Sequence, residues 1–214
     1  MEPSFDLTLV KEDIRNIFLN DYSGHDYWHS ERVCINAERL ADIEGAECDR
    51  IIISLAALLH DVDDPKLFET EKHHHARMIM NRSGINREIQ QAVLKIIDEV
   101  SFKGAESTSP DSIEGKIVQD ADRLDALGAI GIARTFAYGG SMGHDIYDPE
   151  NEPLFLRNYT DYIGSRSSSV SHFYEKLFLL KDMMNTDTAR KIAEKREKFM
   201  RDYLDEFYRE WEGI

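Results

Sequence analysis

The chain has 214 residues, is 42% hydrophobic and 31% charged, and carries 41 acidic against 26 basic side chains, a net charge of −15. That balance argues against non-specific DNA or RNA binding, which needs a basic surface to release counterions, and against docking on an anionic membrane face. No apolar run approaches the ~18 residues of a membrane span. Met1–Val10 has neither a basic start nor a long apolar stretch, so no secretory signal is expected. Cys34 and Cys48 lie in separate segments without metal-type spacing, and reduced thiols in a cytoplasmic protein are the expectation.

In chain order the dominant period is helical. "LTLVKEDIRNIFLND" places Leu7, Val10, Ile14, Ile17 and Phe18 on one face. "SERVCINAERLADIEG" repeats the pattern with Val33, Ala37, Leu40 and Ala41, and Gly45 is placed to end that helix. "CDRIIISLAALLH" is apolar on all sides and is therefore predicted to be central, while Trp28 is expected in the core. Further helices are predicted over 69–82, 86–100 and 113–138, the last broken near Gly128 or Gly131. "YGGSMGHDIYDPENEP" reads as a long loop because of its glycines and prolines. Helices resume near Ser168 and end in an amphipathic one at about 187–212, with Thr186 or Asp187 as its cap. That helix packs either internally or, making a homodimer, against a second subunit. With no sustained strand alternation, the expected fold is all-α, a single domain over 1–214 with roughly eight to ten helices.

"SLAALLHDVDDPKLF" (Ser54–Phe68) raises the functional question: a greasy helix runs into His60, Asp61, Asp63 and Asp64, then Pro65. Taken alone it is a helix end followed by a solvated acidic turn. His29 in "GHDYWHSERV" and Asp122 in "VQDADRLDALGAIGIAR" change that reading. Two imidazoles and two carboxylates suit Mn, Fe, Co, Ni or Zn, and more weakly Mg. His60 and Asp61, about 100° apart on an ideal helix, could share one ion only from a terminal or distorted turn. Arg32, one turn after His29, Lys66 after the acidic turn, and Arg123 beside Asp122 are candidate phosphate contacts, with Lys116 and Arg134 more remote. Arg123 is alternatively an ion-pair partner of Asp120 or Asp125. "HHH" at 73–75 cannot grip one ion from a regular helix, because successive residues diverge. His25 and Asp26 are read as supports of His29, as a cap or through its ring.

The ordered set His29, His60-Asp61 and Asp122, each in its fuller motif, resembles the HD-domain superfamily of metal-dependent phosphohydrolases, over about residues 20–180. The resemblance implies an all-α fold, one divalent ion at these four ligands, and hydrolysis of a phosphoester or phosphoanhydride in a small phosphorylated substrate, often a nucleotide. It places the proton-managing acid at Asp64, with Asp63 as the second candidate, and puts Lys176 of "SHFYEKL" on a helix face near the site. Two rival readings are a two-metal nucleotide phosphodiesterase, which would recruit a histidine from 73–75, and a nucleotide sensor that binds metal without turnover.

Overall fold

The structure is a computed structural model that describes residues 7–19, 21, 24, 26–45, 47–65, 68–101, 107–150 and 167–214. Among them are nine α-helices and one 3-10 segment, and no strand: α1 (Leu7–Ile17), α2 (Tyr27–Glu44), α3 (Arg50–Leu59), α4 (His74–Arg82), α5 (Arg87–Val100), α6 (Ile113–Asp125), α7 (Gly128–Met142), α8 (Ser169–Glu175), the 3-10 turn Leu177–Met183, and α9 (Asp187–Glu212). The all-α expectation holds. None of these helices is long and apolar enough to cross a membrane.

The chain divides into two compact units, and α6 contributes residues 113–119 to the first and 120–125 to the second. In the first unit α3 is the central post. It packs on α1, α2 and α5, and Ile53 and Leu55 to Leu59 have no exposed surface. Burying so continuous an apolar run is what fixes the helix, at about 1.5–3 kcal/mol for each large side chain. Asp49 starts it by accepting from the amides of Ile51 and Ile52 at 2.9 and 3.2 Å. Gly45 ends α2 in the left-handed region (φ 59°), where a side chain would be strained.

In the second unit α7 packs on α8 and α9, around Phe136, Phe173, Phe178 and Tyr203. Its organising polar group is Asp120, which has no exposed surface. One carboxylate oxygen accepts from the amide and the side-chain Nδ2 of Asn185 (2.8 and 2.9 Å). The other accepts from the amide and hydroxyl of Thr186 (both 2.8 Å). Thr186 in turn caps α9 through Ala189. Burial pushes the Asp120 carboxyl up from its ordinary value, against the pull of the Asn185 amide, the Thr186 hydroxyl and amide, and Arg123.

Three local expectations are corrected. Trp28 is 60% exposed; Tyr27 takes the core position, because it shares the phase of Ser30, Cys34, Ala37 and Ala41. Helix α4 begins at His74 rather than Glu69, since its cap comes from Asp63, outside the local sequence. The "YGGSM" stretch is helical to Met142. Gly139 is there for close packing, because a Cβ would meet Ser169 Oγ at 2.1 Å, and Gly143 (φ 70°) is the stop.

Two outcomes follow from these buried groups. Cys34 is buried, and desolvation, followed by Glu38, pushes its thiol up to about 12. A thiol reagent at pH 8 should therefore modify Cys48 quickly and reach Cys34 only after denaturation. Asp120→Ala, which strands four donors, should cost about 3 kcal/mol in urea unfolding. A loss under about 1 kcal/mol would show that the network is not stabilising.

Candidate metal centre

Asp26 begins the site. Its extended backbone and its carboxylate, which accepts the His29 amide at 2.8 Å, start α2 so that His29 stands in the first turn. The His29 ring is turned inward, with 1% of the residue exposed. His60 comes from the other direction, as the residue that closes α3 at the end of its apolar run. The two rings meet edge to face with centroids 5.0 Å apart, and their Nε2 atoms are separated by 3.2 Å.

Asp61 completes the convergence. Its Oδ2 lies 3.3 Å from His29 Nε2 and its Oδ1 3.4 Å from His60 Nε2. Neighbours in sequence reach one place because α3 ends at Leu59 and residues 61–63 form a turn. His60 Nδ1 lies 2.8 Å from the Ala57 carbonyl, so Nδ1 carries the proton and the Nε2 lone pair faces His29 and Asp61. Donors ~2.1 Å from a common ion, at roughly right angles, stand about 3 Å from one another, and the spacings of 3.2–3.4 Å fit that requirement. Asp122 lies on α6, half-buried, one turn beyond Val118 and Gln119.

The other sequence candidates fare differently. Asp64 is half-buried in the turn after Asp61, its amide bonded to the Asp61 carbonyl at 3.1 Å. Asp63 is engaged by the start of α4: its carboxylate accepts the amides of His75 and Ala76 at 2.9 Å each, His75 Nδ1 at 2.9 Å and the Thr70 hydroxyl at 3.3 Å. Arg32 is half-buried one turn after His29 on α2, and Lys176 is half-buried at the C-terminus of α8. Lys66 and His25 lie outside the described residues.

Arg123 is buried and bonds to the Met183 carbonyl. Burial pushes its guanidinium down from the ordinary value, against Asp120 and Asp122, which raise it. Its guanidinium is thus anchored within the second unit, and the ion pair to Asp125 is made by Arg134 at 3.1 Å.

The histidine tract is also in structural use. His73 Nε2 pairs with Asp98 at 2.9 Å, His75 pairs with Asp63, and His74 is exposed. Asp98 stands below its ordinary value: burial would raise it, but Lys72 and His73 outweigh that. What the sequence missed is the pairing of Asp63 with His75 and the four-donor role of Asp120. The only available signal was that "DVDD" and "QDAD" carry more acids than a metal site uses.

The model of the HD domain family matches residues 27–127. A Lactobacillus plantarum protein of known crystal structure is 39% identical, with each chain covered over 100% of its length and a TM-score of 0.87. An HD-superfamily hydrolase from Bacillus thuringiensis is 42% identical over 95% of each chain, with a TM-score of 0.70. Bacillus subtilis YpgQ, solved in complex with ADP, is 38% identical over 94% of this chain and 97% of its own, with a TM-score of 0.71.

Asp61→Ala removes the carboxylate that touches both imidazoles, and should sharply reduce the divalent metal retained through dialysis. Elemental analysis reads this directly, and unchanged metal content would remove Asp61 from the site.

Proposed function

The chain belongs to the HD-domain superfamily, and from that premise we propose that it is a metal-dependent phosphohydrolase, cleaving a phosphoester or phosphoanhydride bond in a nucleotide or similar small phosphorylated metabolite. The observation that carries this reading is the convergence of His29, His60 and Asp61, with His60 tethered through Nδ1 so that its free lone pair faces inward.

In this reading the whole chain acts as one HD domain. His29 and His60 would ligate through Nε2, and Asp61 and Asp122 through carboxylate oxygens. A divalent ion bound there supplies the Lewis acid that activates water and polarises a phosphoryl oxygen. The protein's own share is positional and protonic. Asp64, three residues past Asp61, would take the proton from the attacking water or return it to the leaving group. Arg32, Lys66 and Lys176 would meet the phosphates, supplying local positive charge in a chain whose net charge is −15. Arg123, bonded to Met183, is left out of that set.

The nucleotide class is supported by the ADP complex of YpgQ, at 38% identity. A single ion is favoured over a two-metal phosphodiesterase, because His73 and His75 are held by Asp98 and Asp63.

The test is a phosphate-release screen over nucleoside mono-, di- and triphosphates with Mn, Co, Ni, Mg and Fe. Release from at least one class with at least one metal is expected. Tight nucleotide binding without release under any metal would replace the hydrolase with a sensor. With an active substrate in hand, Asp64→Ala should keep its metal and lose turnover by about 10²-fold or more; unchanged kcat would end that assignment.

A further inference from the structure

We infer that His75 is a positioning residue for the turn that carries Asp61 and Asp64, acting through Asp63 and the Val62 backbone; the inference rests on the hydrolase reading above. Its Nδ1 lies 2.9 Å from Asp63 Oδ1 and 3.0 Å from the Val62 carbonyl. Both are acceptors, so Nδ1 carries the proton and that single N–H serves two consecutive residues of the turn. The ring packs edge-on to Phe68, with centroids 5.4 Å apart.

Asp63 is held from the other side as well. Its two carboxylate oxygens take the amides of His75 and Ala76, the first-turn donors of α4. The Asp63 side chain is only 6% exposed, and Val62 has no exposed surface. The turn is thus clasped to the start of α4 through backbone and imidazole together. Asp61 lies two residues before the clasped carboxylate and Asp64 one after, so rotating a peptide unit there would swing both.

The start of α4 is itself fixed by a second, independent feature. His73 has φ 62°, the one positive value among the described non-glycine residues, and its Nε2 is held by Asp98 on α5. Backbone strain of this kind persists only where surroundings over-determine it, and it collects where exact placement matters. A helix start pinned to α5 on one side and to the His60–Asp64 turn on the other makes a rigid reference for the metal ligand and the acid. A cap would need only the two amides. The imidazole bridging Asp63 and Val62 goes beyond what capping requires.

The experiment compares wild type with His75→Phe, which keeps an aromatic ring but removes the donor, and His75→Asn, whose amide can donate from nearly the place of Nδ1. His75→Phe should lower kcat on the order of 10–100-fold, because a displacement of about 1 Å can cost that much, with KM within about twofold. Hydrogen exchange across Leu58–Pro65 should quicken in the same variant. His75→Asn should restore both. Wild-type exchange and kcat in His75→Phe, or failure of His75→Asn to restore either, would overturn the inference. An inactive wild type would sink the hydrolase reading instead; quickened exchange in His75→Phe, reversed in His75→Asn, would then still establish the clasp, and unchanged exchange would refute it.

Discussion

The site depends on where α3 stops. Inside a regular helix His60 and Asp61 would diverge by about 100°. Because the helix closes after Leu59, with His60 as its last helical backbone and a turn at 61–63, both side chains approach His29 Nε2 to within 3.2–3.3 Å. The apolar run that precedes them has a role in this. Ile53 and Leu55 to Leu59 are wholly buried, so the position and end of α3 are set by the core rather than by the ligands themselves. Anchoring a polar cluster to the most buried element lets three donors be held close together, each of which would prefer water.

The surplus acids around the site do the holding. Asp26 starts α2 under His29, Asp63 starts α4, and Asp120 fixes the entrance to α9 while lying two residues from Asp122. All three are carboxylates accepting backbone amides, the arrangement in which a negative charge complements the positive end of a helix. The acidic composition is thus used partly in local architecture.

How much of this was legible follows from the range of each interaction. Helical phase is local, so α1, α2, α3, α5 and α9 could be read closely, including the stop at Gly45 and the cap at Thr186. The approach of His29 to His60-Asp61 could be anticipated because those residues sit in extended motifs. The errors came where a distant group decides. The start of α4 is set by Asp63 from twelve residues upstream, and Gly139 is demanded by Ser169 rather than by a loop. Trp28 was misplaced for a local reason, since the phase that buries Tyr27 turns its neighbour outward. Asp63 looked chemical in sequence because an acid beside a metal motif and an acid capping a later helix are the same residue until the backbone is placed.

That last distinction sharpens the chemistry. Of the acids that follow His60, one lies beside two imidazoles and one is consumed by four hydrogen-bond donors. A carboxylate so engaged is committed to the backbone it caps, because removing it would strand the amide donors at the start of α4. Asp64 is half-buried in the same turn, its amide bonded to the Asp61 carbonyl at 3.1 Å. The hydrogen bonds therefore divide these acids by place: Asp61 faces the histidines, and Asp63 holds the start of α4, the frame on which the role proposed for Asp64 rests.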